Sequence, residues 1–193
     1  MKLAGKKIGL GITGSHCTYD KVIPQIEKLK QEGAEVQIIL SEAAQNTDTR
    51  FGKASEWKER LSELSEHKLI TTITEAEPIG PLCMFDCLVI APCTGNTIGK
   101  LANSITDGPV LMAAKAHLRN TKPLVIGIST NDGLSNNAKN IGVLLNAKNF
   151  YFIPFAQDDP IKKPNSIVAN MNLIFETVLA AIEGKQIQPV LDR

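Results

Sequence analysis

The sequence predicts a three-layer α/β/α domain built on a doubly wound parallel sheet. Short apolar segments recur along the chain, at 7–12, 36–40, 87–91, 124–128 and 151–153, and they read as apolar on both faces, as strands covered by helices on two sides do. Segments with helical periodicity lie between them. Glycines, serines and threonines cluster where the apolar segments end, the edge at which open α/β sheets place ligands.

The first strand, Lys7-Ile8-Gly9-Leu10-Gly11-Ile12, runs into the turn Thr13-Gly14-Ser15. A helix follows with Val22, Ile23, Ile26 and Leu29 on its apolar face; Pro24 is expected in its first turn, and Gly33 ends it. Val36 to Leu40 is the second strand, and Ser41 stands at its carboxyl end. Trp57, Leu61 and Leu64 recur at helical spacing over 54–64, which makes the single tryptophan a core or contact residue. A short strand is expected over 69–73, then a loop with Pro78, Gly80 and Pro81, then the strand Cys87 to Ala91. Helices are expected over 97–103 and 110–117, strands over 124–128 and 151–153, and a closing amphipathic helix over 167–182. The polar stretch 157–164 reads as a loop and 186–193 as a loose tail or an arm across a neighbouring protomer. No repeat or linker divides the chain, so 1–193 reads as one domain.

The hydrophobic share, 43%, suits a globular core, and 21 basic against 20 acidic residues leave a net charge of +1. No general basic field is available for nucleic acid or anionic lipid. No apolar run approaches the roughly 20 residues that span a bilayer, and the amino-terminal segment lacks a signal-peptide cleavage pattern. A cytoplasmic location is the expectation. Cys17, Cys83, Cys87 and Cys93 form no CxxC pair, so neither a disulfide framework nor a metal site is expected.

Gly9-Leu10-Gly11-Ile12-Thr13-Gly14 satisfies GxGxxG after a first strand. The acidic residue of a dinucleotide site would have to be Glu42, farther away than the roughly 20 residues usual for that fingerprint. Thr13 and Ser15 instead offer hydroxyls beside the amino end of a helix, which suits a terminal phosphate monoester. The plainer alternative is a tight turn with Ser15 or Thr18 as helix cap. A second loop, Ala91-Pro92-Cys93-Thr94-Gly95-Asn96-Thr97, also follows an apolar strand and opens a helix, so two donor-rich loops converge at one sheet edge.

Together Gly11-Ile12-Thr13-Gly14-Ser15 and Pro92-Cys93-Thr94-Gly95-Asn96-Thr97 resemble the GxTGS and PASANT motifs of the flavoprotein family that includes the flavin-containing cysteine decarboxylases. Lys100-Leu101-Ala102-Asn103 and Asp107 continue the likeness. The resemblance implies a flavodoxin-like (Rossmann-like) fold, FMN bound between protomers, and a homo-oligomer, a trimer or dodecamer. It implies a cofactor site of Gly11, Thr13, Gly14, Ser15, Ser41, Pro92, Thr94, Gly95, Asn96, Thr97 and Asn131, with the phosphate on Thr13, Gly14 and Ser15. Decarboxylases of the family carry a histidine before the second loop, where this chain has Pro78-Ile79-Gly80-Pro81, so decarboxylation is disfavoured. His67 lies too far upstream to stand in for it, and His16 and His117 have no partner pattern.

The family's Pro-Ala-Met-Asn stretch is replaced by Ser129-Thr130-Asn131-Asp132-Gly133-Leu134-Ser135, with Asn131 in the asparagine's place. That stretch, Ser41-Glu42-Ala43 and Thr49-Arg50-Phe51-Gly52 resemble a sporulation branch of the family. The likeness implies an oxidoreductase that acts with a second, dehydrogenase-like polypeptide carrying NAD or NADP and aromatises a ring dicarboxylate. A dicarboxylate needs cationic partners, and Arg50 is the candidate, with Lys53 nearby. Two other readings are another FMN enzyme of this fold, a decarboxylase or prenyl-transferring enzyme, and a non-catalytic stabilising component.

Overall fold

A computed structural model describes residues 1–192. Strands β1 (Lys7–Ile12), β2 (Glu35–Leu40), β3 (Cys87–Cys93), β4 (Leu124–Thr130) and β5 (Phe150–Phe152) form a parallel sheet in the order β2-β1-β3-β4-β5. This is the flavodoxin-like order, in which the crevice opens where the chain switches direction across the sheet, between β1 and β3. Every residue of β3 is buried, so its apolar run Cys87 to Ala91 reflects cover on both faces. Helices α1 (Tyr19–Gln31), α2 (Glu42–Asn46), α3 (Ala54–Leu64), α4 (Ile73–Ala76), α5 (Gly95–Ala102), α6 (Pro109–Leu118), α7 (Ala138–Leu145) and α8 (Ile174–Ile182) complete the layers.

Gly33 ends α1 as expected, with φ +89. The Ala34 N–H reaches back to Leu29 O and the Gly33 N–H to Lys30 O, the paired bonds that close a helix through a left-handed residue. Pro24 lies in the second turn rather than the first, because α1 begins only at Tyr19. Its ring deprives the carbonyl of Asp20 of its helical donor, at a residue that is exposed. Trp57 is buried and meets Tyr19 edge-on, ring centroids 5.2 Å apart, which makes it a core residue.

Four expectations need correction. The strand over 69–73 shrinks to a single bridge, Ile39 to Ile70, because Thr72 caps α4 and the Glu75 carboxylate takes the N–H groups of Thr71 and Thr72. The loop over 157–164 is instead most of a hairpin of β6 (Phe155–Asp159) and β7 (Lys163–Ala169), and β7 pairs antiparallel with the carboxyl end of β4 through Val168 and Ile167. The sheet is therefore mixed. The last helix starts at Ile174, since Ile167 to Ala169 belong to β7. The tail is docked on its own chain over 186–192. The Gln186 amide accepts from the N–H of Phe152 and donates to its carbonyl, both at 2.7 Å, closing the free edge of β5 as a strand would. Val190 O accepts from Phe155 N–H, and Asp192 N–H donates to Phe155 O. The remaining tail residue, 193, lies outside the described residues.

Candidate functional site

The first two glycines of GxGxxG belong to packing. Both lie inside β1; a methyl on Gly9 would stand 2.6 Å from the Phe85 ring, and one on Gly11 would stand 2.9 Å from Val110 on α6. Only Gly14 reaches the loop. A dinucleotide fingerprint needs its glycines at the turn, so the spacing here is incidental to such a site.

The loop after β1 and the loop after β3 are stapled by one side chain. Thr13 is 1% exposed; its hydroxyl donates to Pro92 O at 2.7 Å and accepts from the Thr94 N–H at 3.1 Å. That hydroxyl hydrogen is engaged within the protein, so the expected contact from it to a phosphate is not available in this arrangement. The Tyr19 hydroxyl donates to Thr13 O, and burial pushes its pKa up. Neither Ser15 nor Thr18 caps a helix with its side chain. The Thr18 hydroxyl donates to Ser15 O, and Ser15 Oγ lies 2.7 Å from Ser129 Oγ at the end of β4. Ser15 and Thr18 therefore occupy the cap positions without capping by their side chains, and Thr13 and Ser15 tie the loop to the ends of β3 and β4. His16 is buried, with Nδ1 2.8 Å from the carbonyl of Gly14; the carbonyl can only accept, so Nδ1 carries the proton.

At the second loop Thr94 caps α5, its Oγ1 accepting from the N–H of Thr97 and lying 3.0 Å from Thr97 Oγ1. The N–H groups of Gly95 and Asn96 open the helix and have no partner among the described residues. Gly95 is required by close approach. A methyl there would stand 2.5 Å from Thr130 Oγ1, and 2.7 Å from both Asn137 Nδ2 and Asp132 Oδ1. Asp132 Oδ1 accepts from the Thr130 hydroxyl at 2.6 Å and Oδ2 from the Asn137 amide at 2.8 Å. These bonds, the Thr130 hydroxyl first, hold the Asp132 carboxyl below the ordinary carboxylate range. Sequence reasoning misses Asp132; the available signal is the glycine at 95, where the PASANT motif has alanine.

Two cavities flank the staple. One of about 380 Å³ takes in Gly14, Ser41, Asn96 and Thr97, with Lys100, which is paired to Asp107 at 2.7 Å. The other, about 410 Å³, lies under the hairpin and takes in Ser15, Gly95 and Asn131. Gly14 and Thr94 line both. The Ser41 hydroxyl accepts from Ala44 N–H at the start of α2, and Pro92 is buried in β3, contributing its carbonyl to the staple. Arg50 stands apart: it is exposed, lies over the Phe51 ring at 4.9 Å and lines neither cavity. The expectation that it meets a substrate carboxylate gains no support within one protomer, since Arg50 sits in the turn closed by Thr49 and Gly52 and lines neither cavity.

No histidine lines either cavity among the described residues. His67 pairs with Glu35 at 2.6 Å, and β2 places Glu35 at the opposite end of the sheet from Ser41. His117 is buried, with Nε2 2.9 Å from Pro123 O, and burial holds its imidazole below the usual histidine range. Cys87 and Cys93 are buried thiols whose pKa burial pushes up. No helix among the described residues is long and apolar enough to cross a membrane.

A crevice at the β1/β3 switch point, with hydroxyls from two loops and open N–H groups at the start of α5, defines a flavodoxin-like α/β protein with donor groups gathered at one sheet edge. The chain belongs to the Flavoprotein family, which it matches over residues 1–183. It is 53% identical over 189 residues to the B-subunit of dipicolinate synthase from Bacillus subtilis (strain 168), covering 98% of this chain and 94% of that protein, and is a homologue of it. The crystal structure of the dipicolinate synthase B-subunit from Bacillus halodurans C superposes with a TM-score of 0.92 at 52% identity, covering 100% of this chain and 99% of that one. The FMN-dependent cysteine decarboxylase SpaF shares the fold alone, with a TM-score of 0.68 at 17% identity over 94% of this chain and 99% of that one.

Proposed function

We propose that the chain is the flavin-binding component of a dipicolinate-forming oxidoreductase and works in sporulation with the dipicolinate synthase A-subunit, a dehydrogenase-like partner that carries NAD or NADP. The observation that carries this reading is the pair of stapled loops, which present hydroxyl and N–H donors to the crevice. FMN fits that donor set: a phosphate monoester needs N–H and O–H donors and no side chain at the closest approach. Gly14 supplies that opening, since a methyl there would meet Ala43 at 3.0 Å. The Gly14 N–H and the Ser15 hydroxyl hold the phosphate, and Thr94, Gly95, Asn96 and Thr97 lie along the ribityl chain and ring. Bound FMN supplies hydride acceptance at N5.

The work left to the protein is positional. Thr13 holds the two loops in register, and the bonded cluster of Asp132, Thr130 and Asn137 packs against Gly95 at the start of α5. Asp158, Lys163, Ser166 and Val168 of the β6–β7 hairpin line one side of the second cavity. Cavity linings without a histidine favour oxidation over decarboxylation, because hydride loss with aromatisation asks less of a protein acid or base. The assembly is a homo-oligomer, as for the family. Its test is reconstitution of both polypeptides with a dihydrodipicolinate-type acid and NAD or NADP, followed by the absorbance of the aromatic product. Activity is expected to require FMN and to disappear in Ser15→Asp, which places a negative charge where the phosphate sits. Full activity from flavin-free polypeptides would leave this chain a stabilising component only.

A further inference from the structure

The substrate's carboxylates need cations, and Arg50 lines neither cavity. Cations that do line the cavity under the hairpin are Lys21, from the first turn of α1, and Lys163, from the start of β7. We propose that these two lysines receive the two carboxylates of a planar ring dicarboxylate in that cavity, and so set the chain's preference for a diacid. This inference rests on the flavin reading: Ser15 and Gly95, which that reading gives to FMN, line this same cavity, and Gly14 and Thr94 line both cavities, so the diacid would lie next to the flavin.

The charge arrangement favours a dianion. Lys21 is exposed and has no ion-pair partner among the described residues. Lys163 is paired to Asp158 across the hairpin at 2.6 Å, which uses one of its three N–H donors and fixes the ammonium at the cavity wall. Lys163 lines the cavity together with Cys17 of the loop after β1. Against these two cations the cavity lining holds one carboxylate, that of Asp158. Neutral partners complete the site. Ser15 and Ser129 share a hydrogen bond, and Ser166 donates to Thr130 O and, at 3.5 Å, to Asn131 Oδ1. Asn131 thereby keeps its amide N–H₂ free to point elsewhere, and it lines the same cavity. Its volume, about 410 Å³, is in the ordinary range for a small-molecule site. Lys100 is the cation of the neighbouring cavity and does not line this one.

The test is calorimetric titration of the full chain with pyridine-2,6-dicarboxylate and, for comparison, with pyridine-2-carboxylate, each run with and without FMN. Lys21→Gln and Lys163→Gln are each expected to weaken the diacid about tenfold. The double variant should bind diacid and monoacid alike. Arg50→Gln is expected to bind the diacid as the unsubstituted chain does. Unchanged diacid affinity in both lysine variants, or an unsubstituted chain that binds the diacid no better than the monoacid in either state, would overturn the assignment. Failure of the unsubstituted chain to take up FMN is a separate result: it removes the flavin reading, while the flavin-free titration still reads the lysines.

Discussion

At the scale of single residues, Thr13 and Gly95 shape the crevice through what they touch within the protein. Thr13→Ala leaves a buried carbonyl, Pro92 O, and the Thr94 N–H without their partner, which costs about 1–3 kcal/mol. Urea unfolding of Thr13→Ala against Thr13→Ser reads this directly; the serine keeps the hydroxyl and is expected to recover most of the loss. Gly95→Ala drives a methyl into the Thr130, Asp132 and Asn137 cluster and is expected to cost about 1–3 kcal/mol, as overpacking does. The same substitution in an Asp132→Gly background should cost less, because the nearest carboxylate oxygen is gone; equal costs in both backgrounds would show that the cluster is not what excludes the methyl. The sequence displays Gly95 and Thr13 as motif positions and hides what they touch. Pro92 and Thr130 are far from Thr13 and Gly95 along the chain, and only the parallel pairing of β1 with β3 and β3 with β4 brings them together.

At the scale of elements, β1 to β4 are legible because strands buried on both faces must be apolar throughout. The hairpin is not. Its tip is polar and carries Pro160 and Pro164 among exposed residues, so neither alternation nor an apolar run marks it. Ile161 is 92% exposed at that tip. What makes it a hairpin is the pairing of Ile167 and Val168 with β4, the one stretch where it is anchored to the sheet. Those residues also begin the apolar pattern that carries the expected last helix too far upstream. Hydrogen exchange should therefore rank the elements: amides of β3, with both faces covered, exchange slowest, and those of 158–163 fastest among the strands. Comparable protection in both would mean that the hairpin is held by contacts beyond its pairing with β4.

At the scale of the whole molecule, the pH dependence of stability follows from groups whose folded pKa is lowered. Burial disfavours the charged form of His117, so the unfolded chain accepts a proton near pH 6.5 that the folded chain refuses. Stability is then expected to fall as the pH drops through that region, and His117→Gln should flatten this limb in unfolding curves between pH 7 and 5 relative to the unsubstituted chain. Asp132 acts lower: its depressed folded pKa adds stability above the ordinary aspartate value of about 3.9, and that share is lost as the pH falls through the folded value. The fold class can be read from the strand and helix pattern alone. Of the site, the two loops are readable as motifs, whereas the split into two cavities and the position of Arg50 outside them depend on the turn at Thr49–Gly52 and on the hairpin, neither of which has a sequence signature. The central claim, that the stapled loops hold FMN, is tested most directly by titrating the purified chain with FMN and following the quenching of flavin fluorescence together with the visible absorbance. Saturable quenching at one FMN per chain, lost in a folded Ser15→Asp, is the expected result; no quenching by a folded chain, alone or with its partner, would contradict it.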